Sequence, residues 1–143
     1  MKDRETLRKT FQQNPLLGDL QHRVQKEKEQ DDRATNVRPV PIFSWFVTDS
    51  QGLQIARAPW EPSIGANYAY RTYFHNGPYD RQKHFRADEP DRLRSTRMSA
   101  VLFTEETNKW VVAVSTPVFD GDEFLGVVGV MVEIGPIRGS AGE

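Results

Sequence analysis

The chain of 143 residues has no cysteine. Disulfides and thiolate metal sites are therefore excluded, and the absence fits any compartment. It also lacks a surplus of either charge: 19 basic and 20 acidic side chains leave a formal charge of −1. Proteins that grip nucleic acid or an anionic membrane surface need a basic excess, so neither is an expected partner. No apolar run reaches the roughly 20 residues that span a bilayer. Met1 is followed by charge rather than by the apolar centre of a signal peptide. Read literally, that places the chain in the cytosol. It fits equally a soluble piece of a longer protein with Met1 added.

Several chemistries lack their residues. His22, His75 and His84 do not stand at a metal-ligand spacing with acids. Asp120-Gly-Asp-Glu123 has the charge of a calcium loop without its ligand spacing. Gly126 and Gly129 lie inside a strand pattern, so they are not a phosphate loop. No serine, histidine and acid are placed as a nucleophilic triad. No cofactor is implied, and an enzyme is not expected. The Arg-rich run from Arg81 to Arg97 also holds Asp88, Glu89 and Asp91, and reads as a solvated loop.

What is present is a sheet. Val112 to Phe119 and Phe124 to Ile134 are apolar strand patterns joined by a polar turn. The second is apolar almost without interruption, so it is expected to be central and covered on both faces. Upstream, Ile42 to Thr48 reads as a strand, Asp49-Ser-Gln-Gly52 as a tight turn and Leu53 to Arg57 as the returning strand. Arg97 to Thr104 is a third strand, Glu105 to Lys109 a turn, Trp110 to Phe119 a fourth strand and Phe124 to Ile134 the fifth. Residues 58–96 hold an aromatic turn or short helix at Tyr68 to His75, then polar irregular chain.

The N-terminal third is helical. Leu7, Phe11, Leu17, Leu20 and Val24 recur at helical spacing among charges. Asn14-Pro15 marks either a kink or the start of a second helix capped by Asn14. Unbroken, thirty residues would span roughly 45 Å. The helix either lies on the sheet or also extends away from it toward a partner or membrane. Arg38-Pro-Val-Pro41 ends this region. The expected fold is α+β: a five-stranded antiparallel sheet, a long N-terminal helix on one face and a helix/loop cover on the other. The divisions are a helix over 1–36, a core over 37–135 and a fraying tail over 136–143. An insertion as long as 58–96 is usually functional, and a pocket is expected between it and the sheet.

Three stretches resemble the Cache family, the PAS-like extracytoplasmic sensors of bacterial receptors. Phe46-Val-Thr-Asp-Ser-Gln-Gly-Leu53 is similar to its first hairpin, and Tyr70-Arg-Thr-Tyr-Phe74 to its Arg-x-aromatic-aromatic element. Ser115-Thr-Pro-Val-Phe-Asp-Gly-Asp-Glu-Phe-Leu-Gly-Val-Val-Gly129 is similar to its closing hairpin. The resemblance covers residues 5–134 and the length of a single-Cache module. Trp45-Phe-Val-Thr-Asp49, Tyr68-Ala-Tyr-Arg-Thr-Tyr-Phe-His75 and Ala113-Val-Ser-Thr-Pro117 also resemble modules beside bacterial serine/threonine protein kinase domains. The resemblance implies a PAS-like fold and an extracytoplasmic (periplasmic) sensor domain of an inner-membrane receptor. Transmembrane helices would flank it, outside this chain, and a homodimer would form through the N-terminal helix at Leu7, Phe11, Leu17 and Leu20. The output would be a serine/threonine kinase, with a histidine kinase or a chemoreceptor as alternatives. A non-sensing protein-interaction module is the other class.

The resemblance also implies ligand-binding residues. Arg71 matches the Arg that faces the ligand; its fork takes a carboxylate in two bonds. Its alternative is a surface pairing with Glu61 or Asp80. Tyr73 and Phe74 match the aromatic pair, as pocket wall or as plain core. Tyr68 and Tyr70 are further hydroxyl candidates. Ser115 and Ser99 sit in apolar strands, where a buried hydroxyl must bond either a ligand or a neighbouring carbonyl. His75 either gates a pocket or is an ordinary turn residue. Amino-acid-sensing members carry a Tyr five residues before the Arg and an Asp on a later strand. Here those positions are Ala66 and Phe103 or Thr104. With no acid for an ammonium, a small organic acid fits better than an amino acid.

Overall fold

A computed structural model describes residues 4–33, 42–104 and 108–134. The Arg38–Pro41 stop, most of the turn before Lys109 and the tail from Gly135 lie outside the described residues.

The helical stretch is two helices, α1 (Arg4–Gln13) and α2 (Pro15–Arg33). Pro15 cannot donate to the turn before it, but its fixed φ suits a first helical position. Asn14 caps the second helix. Its Oδ1 accepts from the Leu16 and Leu17 amides at 2.9 and 3.3 Å, and its carbonyl takes the first helical bond from Gly18. Of the two readings of Asn14-Pro15, the capped second helix is the one found.

The sheet has six antiparallel strands: β1 (Ile42–Asp49), β2 (Gln54–Ala58), β3 (Arg97–Met98), β4 (Leu102–Thr104), β5 (Lys109–Asp120) and β6 (Glu123–Glu133). Their order is β2-β1-β6-β5-β3, with β4 also on β5. The last strand is therefore central, as its composition required. The expected third strand is broken into β3 and β4. At the break the Ser99 hydroxyl accepts the Ala113 amide at 2.9 Å. The next amide, Ala100, leaves the sheet to donate to Thr72 Oγ1 at 3.0 Å. The interruption is where the strand turns to hold the cover.

One face of the sheet packs on residues 59–96. Phe46, Tyr73, Phe74, Leu93, Val111, Val127 and Met131 form this core, all 4% exposed or less. Each fully buried ring or branched chain stabilises by roughly 1.5–3 kcal/mol. On the other face, Val24 and Leu20 of α2 pack on Trp45, Val47, Ala56 and Ala58. That contact serves β1 and β2. Val112, Val114, Val128, Val130 and Val132, on the same face of β5 and β6, remain half-buried. The expectation of full cover on both faces is thus met on the insertion side and only in part on the helix side. Of the expected dimer stripe, Leu20 is committed to the sheet and Leu17 is half-buried.

Candidate functional site

The cover begins at the β1–β2 turn. Asp49 Oδ1 accepts from the Gln51 and Leu53 amides at 2.8 and 3.0 Å, closing the turn on itself. Gly52 follows at φ +87°, where a Cβ would lie 2.8 Å from that of Ala69. Its carbonyl accepts the Tyr68 amide at 2.8 Å. Only glycine permits both the left-handed backbone and the approach, and through it the turn carries the aromatic segment 68–75 over the sheet.

Two further anchors fix that segment. Ser115 Oγ donates to the Tyr73 carbonyl at 2.8 Å, and Arg97 Nη1 donates to the carbonyls of His75 and Gly77 at 3.1 and 3.2 Å. Tyr73 then packs into the core, its ring tilted at 4.6 Å from that of Phe46 and 6.4 Å from that of Tyr68. Burial pushes its phenol well above the ordinary value, so at neutral pH it is a neutral hydroxyl.

Arg71 lies at the rim. Its Nη1 meets Asp80 Oδ2 at 2.8 Å and its Nη2 donates to the Phe103 carbonyl at 3.4 Å. The other Asp80 oxygen accepts the Thr72 amide at 2.9 Å. The guanidinium sits 5.0 Å above the Tyr70 ring. Burial works against its charge, but Tyr73, Tyr70 and Asp80 outweigh it and hold its pKa above the ordinary value. Arg71 thus pairs with Asp80, and it also lines a cavity.

That cavity, about 20 Å³, lies between sheet and cover. Leu102 and Met131 form its apolar lining, and Gln54, Arg57, Tyr68, Arg71, Tyr73 and Thr104 its polar one. Two arginines, Arg57 and Arg71, line it, and no acid among the described residues does. The open hollow expected from the sequence is largely filled by Tyr73 and its neighbours. The remaining volume holds roughly one water.

Of the expected site residues, Arg71, Tyr68 and Tyr73 come together here, and Thr104 stands where the later-strand position was expected. Tyr70 is placed under Arg71 rather than in the cavity. Ser115 and Ser99 do not reach it: one hydroxyl holds the Tyr73 carbonyl, and the other bonds the Ala100 carbonyl and the Ala113 amide. Phe74 is core. His75 belongs to a separate groove with Arg81 and Phe85. Its Nδ1 accepts the Gly77 amide and its Nε2 bonds the Tyr70 carbonyl, both at 2.9 Å. A neutral ring protonated on Nε2 satisfies both contacts, which tie it to the backbone of its own turn.

The residue that sequence reading missed is Arg57. Strict alternation along Gln54-Ile-Ala-Arg-Ala58 puts Gln54 and Arg57 on opposite faces. The β1–β2 register runs Val47 to Ala56 and then Thr48 to Gln54. Ile55 is an extra residue, and this bulge turns both Gln54 and Arg57 to the cavity. The available signal was a charged residue between two alanines in a short strand.

A larger open groove of about 540 Å³ lies at the other end of the sheet, bordered by Arg92, Arg94, Glu89, Asp122 and Glu123. Its charges oppose one another and define no ligand chemistry, so the smaller cavity is the better candidate despite its size.

No protein-family model matches the chain. No curated protein matches it. Among solved structures the chain is similar to the ligand binding domain of Mlp24 with asparagine, at 15% identity and a TM-score of 0.46. The match covers 91% of this chain and 57% of that one, so the chain spans little more than half its length. At this identity the likeness transfers no residue from one chain to the other.

Proposed function

We propose that this chain is the extracytoplasmic ligand-binding domain of a membrane signal-transduction receptor, and that it takes a small organic carboxylate. The observation that carries this reading is the cavity beside Arg71, lined by two arginines and by no acid among the described residues. Tyr68 and Tyr73 set orientation, and the absence of an acid disfavours an ammonium. The domain core is the sheet and its cover, and α1 and α2 precede it as the signalling helix. As the output, a chemoreceptor or a histidine kinase stands beside the serine/threonine kinase that the motif resemblance suggests. A homodimer through the helix would use Leu17 and the earlier positions Leu7 and Phe11.

Entry requires the cavity to grow, so ligand binding and movement of the 68–80 rim are one event. A ligand shifts such a balance only by its preference for the wider state; a hundredfold preference amounts to about 2.7 kcal/mol. Thermal-shift and calorimetric titration with monocarboxylates, dicarboxylates and amino acids, asparagine among them, tests the reading. A carboxylate that raises Tm, with the shift reduced in Arg71→Ala, is the expected result. A second reading, a non-sensing interaction module, is favoured by one observation: Tyr73 already fills most of the space. A panel with no member that moves Tm selects it.

A further inference from the structure

Arg57 is 3% exposed, and its Nε and Nη2 have no hydrogen-bond partner among the described residues. It lines the cavity from the sheet side, opposite Phe46 in the strand register. Its main chain, by contrast, is fully used. The amide donates to Gln21 Oε1 at 2.7 Å, and the carbonyl accepts from Gln21 Nε2. Nε and Nη2 share one edge of the guanidinium. Their parallel N–H bonds match the two oxygens of a carboxylate. A buried charge without a partner destabilises the chain that holds it. Arg71 differs: Asp80 already neutralises it, and the Phe103 carbonyl takes its second nitrogen.

We propose that Arg57 is the anion anchor of this site. One carboxylate binds its Nε–Nη2 edge, and Arg71 becomes a second contact only when it leaves Asp80. This rests on the sensor reading above and deepens it. The positive charge left unbalanced is one, so the head group is a single carboxylate. Because Gln21 grips the Arg57 backbone, the anchor is one residue removed from α2, and the bound anion pulls on the strand that the helix holds.

The test is a titration of the whole chain with acetate, propionate, lactate and pyruvate, read by thermal shift and calorimetry. Three variants are compared: Arg57→Met, Arg57→Lys and Asp80→Asn. Arg57→Met removes the unpaired charge at similar volume. It is expected to raise Tm without ligand and to abolish the carboxylate-dependent rise. Arg57→Lys keeps the charge but not the paired edge, and is expected to bind at least about tenfold more weakly. It carries the test if the Met variant does not fold. Asp80→Asn frees Arg71 and is expected to bind as well as the parent or better. A parent that responds while both Arg57 variants respond within twofold of it overturns the anchor and leaves the sensor reading standing. A parent that responds to no carboxylate overturns both.

Discussion

Gly129 faces the ring of Phe46, and a Cβ there would lie 2.4 Å from its Cζ and 3.1 Å from the Val114 carbonyl. Phe46 is fully buried and packed at a tilt against Tyr73, so it has no room to yield. Gly129→Ala is expected to cost about 1–3 kcal/mol in chemical denaturation, the usual penalty of overpacking. His75 makes a second prediction. Burial lowers its pKa, and Arg81 and Arg97 add to that against the Tyr70 contact and Asp80. The folded chain therefore binds fewer protons at this ring than the unfolded chain, whose value is about 6.5. The stability it contributes is present above that pH. It is lost as pH falls from there through the lowered folded value. Denaturation at stepped pH is expected to show a shallower acid loss in His75→Gln than in the parent. Arg71 was legible because its flanking aromatics form a local motif. Arg57 was not, because a bulge turns it inward.

Among the elements, α2 and β2 depend on one another. Edge strands expose unpaired backbone groups. Here the Gln21 side chain occupies both outward groups of Arg57. Gln21→Ala is expected to lower stability by about 1–3 kcal/mol, since two part-buried bonds are lost and their partners left unpaired. The Arg57 amide is expected to exchange its hydrogen faster, a change that general destabilisation would spread over β1 as well. Asn14→Ala removes the cap between the helices. A loss of about 1 kcal/mol is expected, with reduced helical circular dichroism. The strand count illustrates the limit of local reading. Arg97 to Thr104 has continuous strand composition, but Thr72, 28 residues earlier, draws the Ala100 amide out of register.

For the molecule as one unit, the unpaired charge at Arg57 and the narrow cavity predict stability that depends on ligand. A carboxylate at a hundred times its Kd is expected to add about 2.7 kcal/mol to unfolding, seen as a rise of several degrees in Tm. High salt is expected to reduce that rise only weakly, because the contact is buried. The half-buried valines of β5 and β6 show that α2 spans only the β1–β2 side of its face.

Helices, strands and turns could be read from residues alone because burial with period two or 3.6, caps and turn chemistry act between near neighbours. So could the central place of β6, whose nearly unbroken apolar run calls for a strand on each side, and the Arg71 motif. The bulge that presents Arg57, the break between β3 and β4 and the filling of the pocket by Tyr73 could not. Each depends on which distant segments meet in the folded chain, and such meetings are set by the packing of the whole sheet and its cover rather than by any stretch of sequence.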